Sequence, residues 1–90
     1  MFSITYTTQF KKDYKRVEKR NYKLSLLKTV VEQIVNNHPL PQRYHAHQLK
    51  GHYKDCWECH ILPDWLLIWQ VDEAENTITF VRTGTHADLF

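Results

Sequence analysis

One stretch constrains the fold more than any other. Residues Trp65–Val71 form a near-continuous apolar run, and on either side lies a segment in which apolar and polar residues alternate, Cys56–Leu62 and Thr77–Thr83. Alternation of period two is the pattern of a half-buried strand. Pro63-Asp64 and Asp72-Glu73-Ala74-Glu75-Asn76 supply the breaks between the three. Connections this short favour antiparallel neighbours. The C-terminal half is therefore expected to be a small antiparallel sheet, with Gly84–Phe90 following its last strand.

The N-terminal half has a different period. Phe2-Ser3-Ile4-Thr5-Tyr6 alternates as a strand does, and Thr7 or Thr8 can then cap a helix. In that helix Phe10, Tyr14 and Val17 recur at i, i+4, i+7 and make one apolar stripe. Arg20-Asn21 breaks the run. Leu24, Leu27, Val31, Ile34 and Val35 then share the face of a second helix. Asn36-Asn37-His38-Pro39 ends it, because proline cannot continue a helix and disfavours helical geometry in its predecessor. Residues 40–54 have no clear period and read as a loop, with at most a short strand near Gln48–Lys50. The order is β-α-α-β-β-β, or the same with one more small strand. This is an α+β fold: a small antiparallel sheet with two helices packed on one face, the other face left free for a partner.

Ninety residues make one domain, 1–90. A chain of this size buries only about 60–65% of its unfolded surface, so its stability is modest. There is no run of 18 apolar residues, which argues against a membrane-spanning helix. Met1–Thr5 lacks a basic segment followed by an apolar stretch, so no secretory leader is expected and the chain is assigned to the cytoplasm. Charge is unevenly spread. Residues 1–28 hold eight Lys/Arg against Asp13 and Glu18, whereas the remainder holds four against eight acidic residues. A basic first third points to a polyanion or an acidic partner, against the plainer reading of a solvated helix face.

Cys56-Trp57-Glu58-Cys59 spells C-x-x-C, but on a strand residues three apart point to opposite faces, so the pair reads as packing rather than zinc or redox chemistry. On the same strand Trp57, Cys59 and Ile61 share one face, and Cys56, Glu58 and His60 the other. On the last strand Ile78, Phe80 and Arg82 share a face opposite Thr77, Thr79, Val81 and Thr83. Six histidines are present. His45 and His47 have the spacing to share a metal with His52 or His60, yet structural zinc sites use tighter paired spacing, and no metal is expected. Imidazole is instead the natural acid–base group near neutral pH. No nucleophile elbow, glycine-rich phosphate loop or Walker sequence occurs. Histidines, an arginine, an aspartate and a basic helix, without a nucleophile motif, fit RNA cleavage by the substrate's own 2′-OH. Trp65 and Phe90 are candidates to stack on a splayed base, with core packing as the competing role for Trp65.

Three elements, in order, resemble the YafQ-type toxins of the RelE/ParE superfamily. They are His47-Gln48-Leu49-Lys50-Gly51, then His60-Ile61-Leu62-Pro63-Asp64-Trp65, then Arg82-Thr83-Gly84-Thr85-His86-Ala87-Asp88-Leu89-Phe90. The likeness covers nearly the whole chain. It implies a RelE-like fold and a type II toxin, an endoribonuclease that cleaves mRNA in the A site of the 70S ribosome without metal or cofactor. It also implies a cognate antitoxin, with a free monomer and a heterotetramer or larger assembly with that antitoxin. By this resemblance His86 is the leading acid or base. His47, His60 and Asp64 complete proton transfer and place the phosphate, and Arg82 stabilises its charge. Phe90, Trp65 and Lys50 are assigned to substrate binding. Two other functions compete: a ParE-like toxin that acts on DNA gyrase without nuclease chemistry, and a non-catalytic RNA-binding or antitoxin-sequestering module.

Overall fold

The computed structural model describes residues 2–90. Its elements are β1 (Ser3–Tyr6), α1 (Thr8–Lys19), α2 (Leu24–Val35), β2 (His47–Gln48), β3 (Trp57–Leu62), β4 (Trp65–Asp72), β5 (Thr77–Gly84) and α3 (His86–Leu89). Two single 3-10 turns, Gln42–Tyr44 and Gly51–Tyr53, flank β2. Among the described residues the five strands form one sheet in the order β1-β5-β4-β3-β2.

Each helix starts and stops for a local reason. The Thr7 hydroxyl accepts from the Phe10 N–H at 2.9 Å and donates to the Val81 carbonyl at 2.7 Å. One side chain thus caps α1 and pins its start to β5. The chain turns out of α1 at Asn21 and out of α2 at Asn37, both left-handed, a conformation asparagine tolerates better than most residues. Phe10 and Val17 are buried from α1, and Leu27, Val30, Ile34 and Val35 from α2. The second helix is rolled slightly from its expected face, so that Val30 rather than Val31 points into the core. These residues pack on Cys59, Ile61, Leu67, Trp69, Ile78 and Phe80 of the sheet. The two-helix layer on one face is as expected.

The β2–β3, β3–β4 and β4–β5 pairings are antiparallel, but β1 runs parallel to β5, Ser3 opposite Thr77 through Tyr6 opposite Phe80. The sheet is therefore mixed rather than wholly antiparallel. That pairing joins the two ends of the chain, and no local turn announces it. Strand alternation also fails once. Ile68 lies opposite Arg82, but Trp69 lies opposite Phe80, so Val81 is an extra residue in β5. The bulge separates Arg82 from the face of Phe80. It turns Thr83 into the core, where its hydroxyl donates to the Leu66 carbonyl and accepts from the Trp65 indole N–H.

The second face of the sheet is not left free. Cys56, Leu66, Ile68 and Leu89 are buried there with Leu49, Tyr53 and Val81 against them. The apolar run of β4 puts side chains on both faces, and α3 with the 49–53 loop covers the one the long helices do not.

Asp13 is fully buried on α1. It accepts from Arg82 Nε at 2.7 Å and Nη2 at 3.1 Å, from the Thr83 N–H at 3.2 Å, from Gln9 at 3.2 Å and from Arg16 at 3.4 Å. Replacing it strands a mostly buried guanidinium and an amide donor. Asp13→Ala is expected to cost about 3 kcal/mol, read as a fall in Tm of more than about 10 °C. A loss below about 1 kcal/mol would mean that Asp13 is not what holds α1 to β5.

Candidate active site

The sheet brings four of the expected residues to one edge. His47 lies on β2, His60 near the end of β3, Asp64 in the turn before β4, and His86 at the first position of α3. His60 is the centre. Its ring centroid is 5.7 Å from that of His86, 6.4 Å from that of His47 and 5.9 Å from that of His45. The expectation that His60 stands opposite Cys59 and Ile61 holds: those two are in the helix-side core, while His60 is about a quarter exposed.

His86 is held twice by one oxygen. Asp64 Oδ1 accepts from His86 Nδ1 at 2.6 Å and from its backbone N–H at 2.9 Å. A carboxylate accepts, so Nδ1 carries a proton, and Nε2 is the ring nitrogen that Asp64 does not engage. The two donors, the backbone one first, hold the Asp64 carboxyl below the usual carboxylate range. His60 Nδ1 faces the Pro63 carbonyl at 3.3 Å, an acceptor that likewise calls for a proton on Nδ1. His47 Nδ1 faces the His45 carbonyl at 2.7 Å, and its Nε2 lies 3.3 Å from Glu58 Oε1. Both nitrogens of His47 thus lie near oxygen acceptors.

Glu58 was not assigned a role from sequence. It is 5% exposed, with Oε1 3.3 Å from His47 and 3.8 Å from His60, and its Oε2 is buried without a hydrogen-bond partner. Its Oε1 thus faces the Nε2 atoms of both imidazoles. The signal was present: Glu58 and His60 are two apart on one strand and share a face.

The remaining expected residues fall elsewhere. Phe90 is 66% exposed, and its ring is perpendicular to that of Tyr53 at 5.5 Å. Trp65 is corrected: it is 1% exposed, donates to Thr83 at 2.9 Å and meets Tyr22 edge-on, so it is core and has no face for a base. Arg82 is corrected in part. Its fork is spent on Asp13, its other nitrogen donates to the Tyr53 hydroxyl at 3.2 Å, and it is not an open cation at the histidines. Lys50 lines a separate cleft with Gln48, Lys54 and Asp55, and no histidine lines that cleft. Cys56 and Cys59 lie in opposite cores. Burial pushes the Cys59 thiol up to about 12, so it stays protonated at neutral pH. Among the described residues no three of His, Cys, Asp and Glu are grouped to hold a metal ion.

The chain was compared with known proteins. A family model described as a bacterial toxin of type II toxin-antitoxin system, YafQ, matches residues 2–90. The mRNA interferase toxin YafQ of Escherichia coli K12 is 40% identical over 88 residues, 97% of this chain and 94% of that protein. A metal-bound toxin from Helicobacter pylori superposes with a TM-score of 0.94 at 42% identity, covering 100% of both chains. A chain of the E. coli DinJ-YafQ complex superposes with a TM-score of 0.91 at 38% identity, covering 100% of this chain and 99% of that one.

The Asp64–His86 contact has a defined pH signature. Asp64 is depressed in the folded protein, so the contact is complete above the ordinary carboxylate pKa, about 3.9. It is lost only as pH falls through the lower, folded value. A carbonyl-carbon NMR titration should place the Asp64 midpoint below the ordinary value in the native protein and raise it in part in His86→Ala, which keeps the backbone donor. The same midpoint in both would mean the side-chain contact is not formed in solution.

Proposed function

The chain belongs to the YafQ family of bacterial toxins of type II toxin–antitoxin systems, as an endoribonuclease of the mRNA interferase class. From that premise we propose that its 1–90 domain cuts mRNA in the ribosomal A site, with the ribose 2′-OH as nucleophile. The proton leaves O2′, the O2′–P bond forms, the P–O5′ bond breaks, and a proton is delivered to the departing O5′. The protein supplies two proton-transfer groups and charge relief, and forms no covalent intermediate. The observation that carries this reading is the convergence of His86, its ring held through Nδ1 by Asp64, on His60 at 5.7 Å.

His86 is one proton-transfer group. The Glu58-flanked pair His47 and His60 supplies the other, next to the phosphate. Arg82 contributes by placing the end of β5 through Asp13. The exposed ring of Phe90 stacks on a base next to the cut. The outward lysines of α1, Lys11 and Lys12 among them, contact ribosomal RNA phosphates. The partner that silences the toxin is a cognate antitoxin, in a hetero-oligomer. Among the described residues no helix is long and apolar enough to cross a membrane, and a ribosomal substrate places the toxin in the cytoplasm.

Primer extension on an mRNA, with and without programmed ribosomes, tests the reading. Cuts in codon register that need ribosomes and fall at least about 100-fold in His86→Ala are expected. Growth arrest by the native protein with no cut in either condition would overturn it in favour of a gyrase-directed toxin. Cutting undiminished in His86→Ala would remove His86 from the chemistry.

A further inference from the structure

The α3 segment carries His86 at its start, and Phe90 follows it directly, yet four residues are too few to hold a helix by themselves. Three devices hold it. Thr85 and Asp88 form a capping box: the Thr85 hydroxyl accepts from the Asp88 N–H at 3.1 Å and Asp88 Oδ2 accepts from the Thr85 N–H at 2.9 Å. Gly84, at φ +152°, clears the way, since a Cβ there would meet Asp88 Oδ2 at 2.8 Å. The third comes from outside. Arg20, at the C-terminal cap of α1, donates from Nη1 to Asp88 Oδ2 at 2.7 Å and from Nη2 to Oδ1 at 3.1 Å, with Arg16 Nη1 3.7 Å from Oδ1.

This is a fork-to-carboxylate pair, which fixes orientation as well as distance. Arg20 is part of the basic run that reads, in sequence, as a polyanion-binding face, but its guanidinium is engaged on Asp88. An ion pair this exposed adds little stability. Its effect is on placement. Asp64 holds His86 on one side, and the Arg20–Asp88 pair holds the turn of α3 that His86 belongs to on the other.

We propose that Arg20 is a positioning residue for RNA cleavage: paired with Asp88, it locks α3 so that His86 and Phe90 are set before substrate arrives, and it is not a phosphate contact. This rests on the nuclease reading above. The arginine also keeps the Asp88 carboxyl well below the usual carboxylate range, so the pair stays charged throughout the neutral region. Lysine reaches the same carboxylate with one ammonium and cannot reproduce the two-point geometry.

The test is cleavage of mRNA on programmed ribosomes, resolving kcat from KM, with ribosome binding followed against salt. Arg20→Met should lower kcat by about tenfold or more, since small misplacements of reacting groups are costly in rate. Its KM should stay within about twofold, and its salt slope should be that of the native protein. Arg20→Lys should fall between. Lys11→Ala with Lys12→Ala is the comparator for a phosphate contact: weaker binding and a shallower slope. Amide exchange at His86–Leu89 in the free protein should speed up in Arg20→Met while α1 stays protected. Native kcat with raised KM and a shallower slope in Arg20→Met would show that Arg20 binds RNA, and would overturn the proposal. Unchanged kcat, KM and α3 exchange would overturn it too. If Arg20→Met does not fold, Arg20→Lys and Asp88→Asn carry the same comparison. The native protein and His86→Ala run alongside separate the two levels: if the native protein does not cut, the nuclease reading has failed, whereas if it cuts, His86→Ala is dead and Arg20→Met is native, only the positioning role has.

Discussion

A single buried carboxylate organises this molecule. Asp13 sits on the inner face of α1, out of reach of water, and gathers Arg82, the Thr83 amide, Gln9 and Arg16. A carboxylate in such a place is tolerable only when its oxygens are filled with donors. Filling them fixes α1 against the bulged end of β5. From that junction the chain runs through Gly84 into α3, so the placement of His86 follows from it. Arg20, one turn beyond Arg16 on α1, then reaches across to Asp88. The basic first helix is thus joined to the elements that carry His86 at two points, at Asp13 and at Asp88. Part of its positive charge holds the protein together, and the rest faces solvent.

The active edge combines that rigid frame with exposed groups. His86 and Asp64 are both more than half exposed, whereas Glu58 is buried behind His47 and His60. The orientation of these imidazoles is set from within. His86 is set by Asp64 and by the ends of α3. His47 and His60 are set by the carbonyls of His45 and Pro63 and by Glu58. Imidazoles with different carboxylate partners on one surface are what the proposed reaction, which removes one proton and delivers another, calls for.

Much of the fold was legible because its signals are local. The β4 run, its alternating neighbours and two short turns led to the meander, and the 3.6-residue stripes led to both long helices. What was not legible is what joins distant segments. The parallel β1–β5 pairing connects residues about 74 positions apart. The extra residue at Val81 leaves no mark in the composition of β5, yet it moves Arg82 off the face assigned by alternation. The short α3, with Leu89, closes a sheet face that period counting left open. Among candidate site residues, the motif histidines, Asp64 and Phe90 stand out in the sequence because their types and order carry the resemblance. Glu58 does not, although its place beside His60 follows from strand phase. Trp65 reads as a stacking group because it is an aromatic beside Asp64, until its burial is known. Arg82 and Arg20 could not be read correctly, since their carboxylate partners lie 69 and 68 residues away.

The central claim is that the nucleophile is the substrate's own 2′-oxygen, activated by side chains gathered at this edge. The most direct measurement replaces one ribose by 2′-deoxyribose at the nucleotide 5′ of a mapped cut, in an mRNA held on programmed ribosomes. The account predicts no cleavage at that position, with a 2′,3′-cyclic phosphate at the 3′ end of the fragment from the all-ribose message. Cleavage of the deoxy-substituted message at the native rate would show that water or a protein group attacks phosphorus, and would contradict it.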